Sequence, residues 1–143
     1  MDDYEQYEED CEKIRDSNAD LLNGFEAWLK ASGLAPKTIT NHRSNIDFYI
    51  NEFLLYEDAT EAKEGVDEVN MFLGYWFIKK AMWASPASIR SNAASLKKFY
   101  TFMEEKKLIG TEDLNNLKQT IKEYMPEWLE SLERYDDPSI DIW

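Results

Sequence analysis

The one histidine and the one cysteine are the side chains of this sequence best suited to acid–base or nucleophilic chemistry. His42 lies three residues after Ile39, near the apolar face of a helical pattern, so we expect a partly buried structural histidine rather than a general base. Cys11 has no second cysteine with which to form a disulfide or a metal site, and it fits a reducing, cytoplasmic compartment. Because neither residue has the catalytic partners that a nucleophile or a base needs, we expect no enzyme.

Acidic side chains are abundant, but their spacing does not favour metal binding. Glu8, Glu9 and Asp10 are consecutive, and Glu104 is followed by Glu105. Adjacent residues of a helix point apart, so these carboxylates are better interpreted as solvated surface than as ligands. The sequence also has no glycine-rich phosphate loop and no cluster of Cys and His residues. We therefore expect no metal ion and no cofactor.

The basic side chains indicate a different chemistry, the neutralisation of phosphate groups. No acid occurs from Val69 to Met103, and this stretch holds five basic residues. Lysine and arginine side chains on one face of a helix attract nucleic acid. An ordinary solvated helix face is the alternative interpretation of such a stretch.

Charge is distributed unevenly along the chain. The net charge is −13, but residues 1–16 carry eight acids against two bases, and residues 123–143 carry seven acids against one base. We therefore divide the chain into an acidic N-terminal arm (1–16), one helical domain (17–125) and an acidic C-terminal tail (126–143). Tyr4, Tyr7, Cys11 and Ile14 recur at helical spacing, so a helix that docks on the rest is the alternative for part of the arm. We expect both ends to be autoinhibitory or partner-binding and to be dispensable for folding. No apolar run is long enough to span a membrane.

Helical periodicity predicts the elements that position these side chains. Ser17 is the expected N-cap of the first core helix, and Gly33 ends that helix. Pro36 begins a second helix that continues to about Tyr56. A third helix, over about residues 67–82, is apolar on nearly all sides, which indicates that it is the central, buried helix.

The second half of the chain predicts two further helices. Ser85 and Pro86 begin the fourth helix as its N-cap and its first residue. Gly110 separates this helix from a fifth, which Pro126 is expected to break or kink, and residues 136–143 form a tail. Since no alternating pattern typical of a strand occurs, the sequence predicts an all-α fold, a compact bundle of about five helices.

The second and fourth helices repeat each other, with Pro36 and Pro86 in equivalent positions. Both copies follow the pattern P-x-[ST]-I-x6-[IL]-x2-[YF]. We expect Ile39 and Ile89 to face the core, and the bundle to consist of two helical hairpins packed together. A chance similarity between two degenerate helix patterns is the alternative.

On these residues the chain resembles the core-binding domain of tyrosine recombinases and phage integrases, a SAM-like all-α domain. Phe25-Glu-Ala-Trp-Leu29 with Gly33-Leu-Ala-Pro-Lys-Thr-Ile39 is similar to the opening of that domain, and Ser85-Pro-Ala-Ser-Ile-Arg90 with Ala94-Ser-Leu-Lys-Lys-Phe-Tyr-Thr-Phe102 is similar to its second hairpin. The resemblance covers about residues 20–109. It departs from the family at Ala35 and His42, and the chain has too few arginines and histidines for the family's catalytic set.

The resemblance implies a non-catalytic domain that binds one side of duplex DNA, with the second and fourth helices facing the DNA. Lysine and arginine neutralise phosphates, and Ser, Thr or Asn near helix starts hydrogen-bond to them. We add Lys79 and Lys80, the two adjacent bases of the third helix. The candidate DNA-binding residues are then Lys37, Thr38, Asn41, Arg43, Lys79, Lys80, Ser88, Arg90, Ser91, Lys97 and Lys98.

Two functions therefore remain open. The first is a DNA-binding module that regulates, or is a relic of, site-specific recombination. The alternative is an acidic protein-interaction module that retains the fold but not DNA binding, and that imitates DNA or binds a recombinase or another basic protein through its acidic ends. The sequence sets neither the DNA target nor the oligomeric state.

Overall fold

Five helices form the regular structure of residues 2–136, the part of the chain that the computed structural model describes. The helices are α1 (Asp3–Ala31), α2 (Pro36–Asp47 continued by the π-helical turn Phe48–Phe53), α3 (Val69–Met71, the π-helical turn Phe72–Trp76, and Phe77–Lys80), α4 (Pro86–Glu105) and α5 (Thr111–Asp136). A short 3-10 helix, Glu64–Asp67, precedes α3. Since no strand occurs within residues 2–136, the predicted all-α bundle of about five helices is confirmed.

The helices pack as neighbours in the order α1, α2, α4 and α5, and α3 lies against α5 and the end of α2. The central helix is α4, in which nine residues are buried. The prediction that the third helix is the central one, buried on nearly all sides, is wrong, because Met71 and Tyr75 on its outer side are each 54% exposed. Its inner side does belong to the core, where Val69, Phe72, Leu73, Phe77 and Ile78 are buried.

The first helix is longer than predicted. It begins after Asp2, whose carboxylate caps it by accepting a hydrogen bond from the backbone N–H of Glu5 at 2.8 Å. The helix start predicted at Ser17 is wrong, because the N-terminal part of α1 packs on the bundle. Cys11 is buried there, and the Tyr7 hydroxyl donates to the carbonyl oxygen of Leu55. Favourable packing of this turn therefore outweighs the capping preference of serine.

The starts of α2 and α4 follow the predicted pattern. Pro36 and Pro86 both lie in the first turn, and Ile39 and Ile89 are 5% and 0% exposed, so both face the core as expected. Gly33 has a φ of +82°, which is the left-handed conformation that a glycine after a helix supplies.

The fifth helix continues through Pro126, so of the two expected effects of this proline, a break or a kink, the break does not occur. Trp128 is 1% exposed and Leu132 is 2% exposed, so both belong to the hydrophobic core. The Trp128 indole N–H donates to Asn70 Oδ1 of α3 at 2.8 Å. Residues 126–136 therefore belong to α5 and pack on the core, instead of forming the separate tail expected from the sequence. The predicted tail residues 137–143, like Met1, lie outside the described residues.

Candidate nucleic-acid interface

A seam of polar side chains joins α2 to α4. Asn45 Nδ2 donates to Ser91 Oγ at 3.1 Å and to Ser95 Oγ at 2.9 Å, and His42 Nδ1 lies 2.7 Å from Ser95 Oγ. His42 therefore pairs with Ser95 and Asn45 with Ser91, so the residue numbers run in opposite directions along the seam. This register places the first turn of α2 toward the part of α4 that contains Lys98.

His42 is buried in this seam as a structural residue. Burial, and secondly the nearby Lys98 ammonium, lower the pKa of the imidazole, so the ring is neutral at neutral pH. The Ser95 hydroxyl donates its hydrogen to the carbonyl oxygen of Ser91 at 3.1 Å. Ser95 Oγ therefore accepts from His42, and we assign the ring hydrogen to Nδ1.

Cationic and neutral polar side chains occupy the solvent side of the seam. Lys37 and Asn41 are exposed on α2, Ser91 and Lys97 are exposed on α4, and Lys98 is partly exposed beside them. Asn41 precedes Asn45 by one helical turn, and Lys98 follows Ser95 by one turn, so both border the seam. We call Lys37, Asn41, Ser91, Lys97 and Lys98 the seam surface.

The segments that form the seam surface contain no acids. Residues 27–46 contain no Asp or Glu and three bases, and the second acid-free stretch, residues 69–103, was already evident from the sequence. The first stretch is a sequence signal that the charge analysis missed. The two stretches become neighbours because α2 packs on α4.

A groove at one end of the seam surface adds an aromatic side chain that was not among the candidate DNA-binding residues. Trp28 of α1 lines this groove together with Ala94, Lys97, Lys98 and Thr101. The Trp28 indole N–H donates to Glu105 Oε1 at 3.2 Å, so its ring is held in place by a carboxylate at the end of α4. An indole beside two lysines suits contact with a sugar or a base next to neutralised phosphates.

Other predicted residues have different surroundings. The guanidinium of Arg43 donates to Asn23 Oδ1 at 3.1 Å and lies 3.8 Å from the Glu26 carboxylate, both on α1. Ser88 forms the capping box of α4, in which its hydroxyl accepts from the backbone N–H of Ser85 at 2.8 Å. Thr38 is partly exposed beside Lys37, within the first turn of α2.

The lysine pair of α3 contacts aromatic rings rather than the seam surface. Lys79 Nζ lies 3.0 Å from the Tyr75 hydroxyl, and Lys80 Nζ lies 3.2 Å from the Tyr56 hydroxyl. Both tyrosines are more than half exposed. The structure therefore separates this pair from the residues that the seam brings together.

Arg90 lies where the basic surface of α4 meets the acidic end of α5. It shares a shallow groove with Pro126, Leu129, Glu130, Glu133 and Asp136. These carboxylates reduce the positive potential around the guanidinium. Arg90 is exposed on the same helix as Lys97 but belongs to a less favourable electrostatic environment for phosphate.

No model of a known protein family matches the chain, and the searches of curated proteins and of solved structures found no match. The resemblance to integrase core-binding domains stays a prediction. Within residues 2–136, no group of three or more His, Cys, Asp or Glu side chains is placed to hold a metal ion. No helix of this part of the chain is both long and apolar enough to cross a membrane.

Proposed function

We propose that this protein is a non-catalytic module that binds duplex DNA through the seam surface. The observation that carries the proposal is the side-by-side packing of the acid-free part of α2, residues 36–46, and the acid-free part of α4, residues 86–103, in a chain of net charge −13. Lys37, Lys97 and Lys98 attract phosphates, and Asn41 and Ser91 donate hydrogen bonds between them. A role in regulating site-specific recombination rests on the resemblance to integrase core-binding domains.

The alternative, an acidic protein-interaction module, is supported by a different observation. The acidic residues of segments 3–16 and 123–136 lie on the docked helices α1 and α5, so these segments present ordered carboxylates. Ordered carboxylates suit recognition of a basic protein, including a recombinase. In this alternative the seam surface is an ordinary solvated face.

A fluorescence-anisotropy titration of labelled duplex DNA with the full chain, at low and at physiological salt, tests the proposal. We expect binding that weakens steeply with salt, because each neutralised phosphate adds about 0.9 to the slope of log K against log salt. Replacing Lys37, Lys97 and Lys98 with alanine should flatten that slope by roughly two to three units.

The matched control replaces Lys13, Lys63 and Lys106 with alanine. These three lysines line a separate groove between α1, the loop before α3 and the end of α4. The control has the same net charge as the seam variant, so it should retain most of the salt-dependent binding. Equal losses in both variants, or no salt-dependent binding by the wild type, would favour the acidic interaction module.

A further inference from the structure

A small pocket between the end of α2 and α3 is built from aromatic side chains. Its volume is about 260 Å³, which suits a single functional group rather than a drug-sized ligand. Its aromatic wall consists of Phe53, Tyr56, Tyr75 and Trp76. Phe53 ends the π-helical turn of α2, and Tyr75 and Trp76 end that of α3. π-helical turns within α-helices are frequent at functional sites.

The rings of this wall stand at steep angles to one another. The centroids of Tyr56 and Trp76 are 5.6 Å apart with an interplanar angle of 70°, and those of Phe53 and Trp76 are 5.3 Å apart at 66°. The ring planes of this wall therefore differ in orientation. Because the face of an aromatic ring carries negative potential, this arrangement favours a cation.

Carboxylates complete the wall. Glu57, Asp58 and Glu68 line the pocket, and the residues described as its lining include no lysine or arginine, although Lys79 and Lys80 contact two of its rings from outside. The segment 57–68 contains six acids and one lysine. Both the rings and the carboxylates therefore select a positively charged ligand.

The acidic segment is held to the core by two buried hydroxyl groups. The Tyr49 hydroxyl donates to the carbonyl oxygen of Gly65 at 2.5 Å, and the Tyr100 hydroxyl donates to that of Ala62 at 2.7 Å. Both tyrosines are 0% exposed. A preorganised pocket loses less conformational entropy when it binds a ligand.

Ammonium groups already approach two of these rings within the chain. Lys79 Nζ lies 4.2 Å from the centroid of the Tyr75 ring, and Lys80 Nζ lies 5.2 Å from that of the Tyr56 ring. Each of these two rings therefore already makes one cation contact within the chain. Lys80 also adds positive charge at the rim, where it opposes an incoming cation.

We propose that this pocket binds an alkylammonium group, carried by a lysine side chain, methylated or unmethylated, of a basic partner protein. The aromatic wall provides cation–π contacts, and Glu57, Asp58 and Glu68 neutralise the charge. The acids of segment 57–68 that lie outside the pocket match further basic residues of such a partner. The site is independent of the seam surface, so it remains testable whether or not the protein binds DNA.

The first experiment titrates choline into the full-length ¹⁵N-labelled protein and follows the indole N–H resonance of Trp76, assigned with the Trp76→Phe variant. We expect saturable shifts with a Kd of about 1–10 mM, because so small a ligand has a limited binding free energy. The control ligand replaces the trimethylammonium group with a neutral tert-butyl group. The proposal is overturned if choline causes no shift, or if the neutral ligand binds equally well.

The second experiment compares variants that keep the fold. Tyr75→Leu and Glu68→Gln change exposed side chains of the pocket, and each should weaken choline binding about three- to tenfold. Tyr4→Leu and Glu123→Gln make the same changes at exposed residues outside the pocket and should leave the Kd unchanged. Lys80→Met should tighten binding, since it removes the opposing charge at the rim. Unchanged affinity in both Tyr75→Leu and Glu68→Gln contradicts the proposal.

The third experiment identifies the source of the ammonium group. A basic peptide with one central trimethyl-lysine should bind at least about tenfold more tightly than choline, because its flanking charges meet segment 57–68. The same peptide with a neutral isostere at that position should lose this advantage. An affinity no greater than that of choline contradicts a protein partner as the source.

Discussion

Buried polar side chains hold pairs of helices in register in this bundle. Asn18 of α1 donates to the carbonyl oxygen of Ile50 at 3.3 Å and to Asn51 Oδ1 at 2.8 Å, both in the π-helical turn of α2. His42 and Ser95 do the same between α2 and α4. Leaving such a group unsatisfied costs about 1–3 kcal/mol. At the scale of single residues, the sequence therefore predicted that His42 lies near the core, while its position gave no sign of its partner on α4.

The first prediction is that His42 makes stability depend on pH. Burial lowers the pKa of the His42 imidazole below its ordinary value of 6.5 in the folded state. Below that value the unfolded chain takes up a proton that the folded chain resists, so folding stability is fully present above it and declines as the pH falls. The urea midpoint of the wild type should therefore fall between about pH 7.5 and 5.5 more steeply than that of His42→Gln. Parallel pH profiles of the two proteins would contradict this assignment.

At the scale of elements, the sequence predicted those helix ends that a proline or a glycine determines locally. Pro36, Pro86 and Gly33 act through backbone geometry, which depends on the residue itself and not on distant partners. The start of α1 and the path of α5 were not predictable in this way. Packing of Cys11 and Trp128 against distant helices outweighed the local signals of Ser17 and Pro126, and such packing is not visible in a local pattern.

The second prediction concerns the contact between α3 and α5. A Cβ atom at Gly74 would lie 2.8 Å from Trp128 Cδ1 and 3.0 Å from its Nε1. Gly74→Ala should therefore displace Trp128 and destabilise the fold by about 1–3 kcal/mol, as measured by urea unfolding. Gly110→Ala is the control, since its nearest contact would be the Asp113 side chain at 3.4 Å. If both variants unfold at the same urea concentration, the contact with Trp128 is not tightly packed.

At the scale of the whole molecule, the segment boundaries predicted from the distribution of charge do not coincide with the boundaries of the hydrophobic core. The acidic segments, expected from the sequence to be dispensable, contribute Cys11, Trp128 and Leu132 to buried positions. The third prediction is that a fragment of residues 17–122 loses cooperative thermal unfolding, because loss of a buried tryptophan alone costs about 3–5 kcal/mol. A melting temperature within several degrees of the full chain would contradict this.

The acidic ends must therefore be tested by substitution and not by deletion, and the last prediction concerns those of α5. Glu130, Glu133 and Asp136 border the groove that contains Arg90, and all three are exposed, so their amide variants should fold. If the seam surface binds duplex DNA, neutralising these three carboxylates removes their repulsion of nearby phosphates. It also raises the positive electrostatic potential around the Arg90 guanidinium. Anisotropy titrations at low salt should show tighter binding, and the effect should shrink as the Debye length shortens with added salt.

A second variant with the same net charge as the α5 variant distinguishes the effect of carboxylates near the DNA from the effect of the net charge of the protein. Glu5, Glu8 and Glu12 are exposed near the start of α1, in the part of the helix that packs near the end of α2. Their conversion to glutamine should tighten DNA binding less than the α5 variant does, because interactions beyond a Debye length of about 10 Å at 0.1 M salt are largely screened. Equal tightening would mean that net charge alone sets the affinity. If neither variant changes the affinity of the wild type, the phosphates lie far from α5, and the basic surface of α4 near Arg90 is not part of the interface.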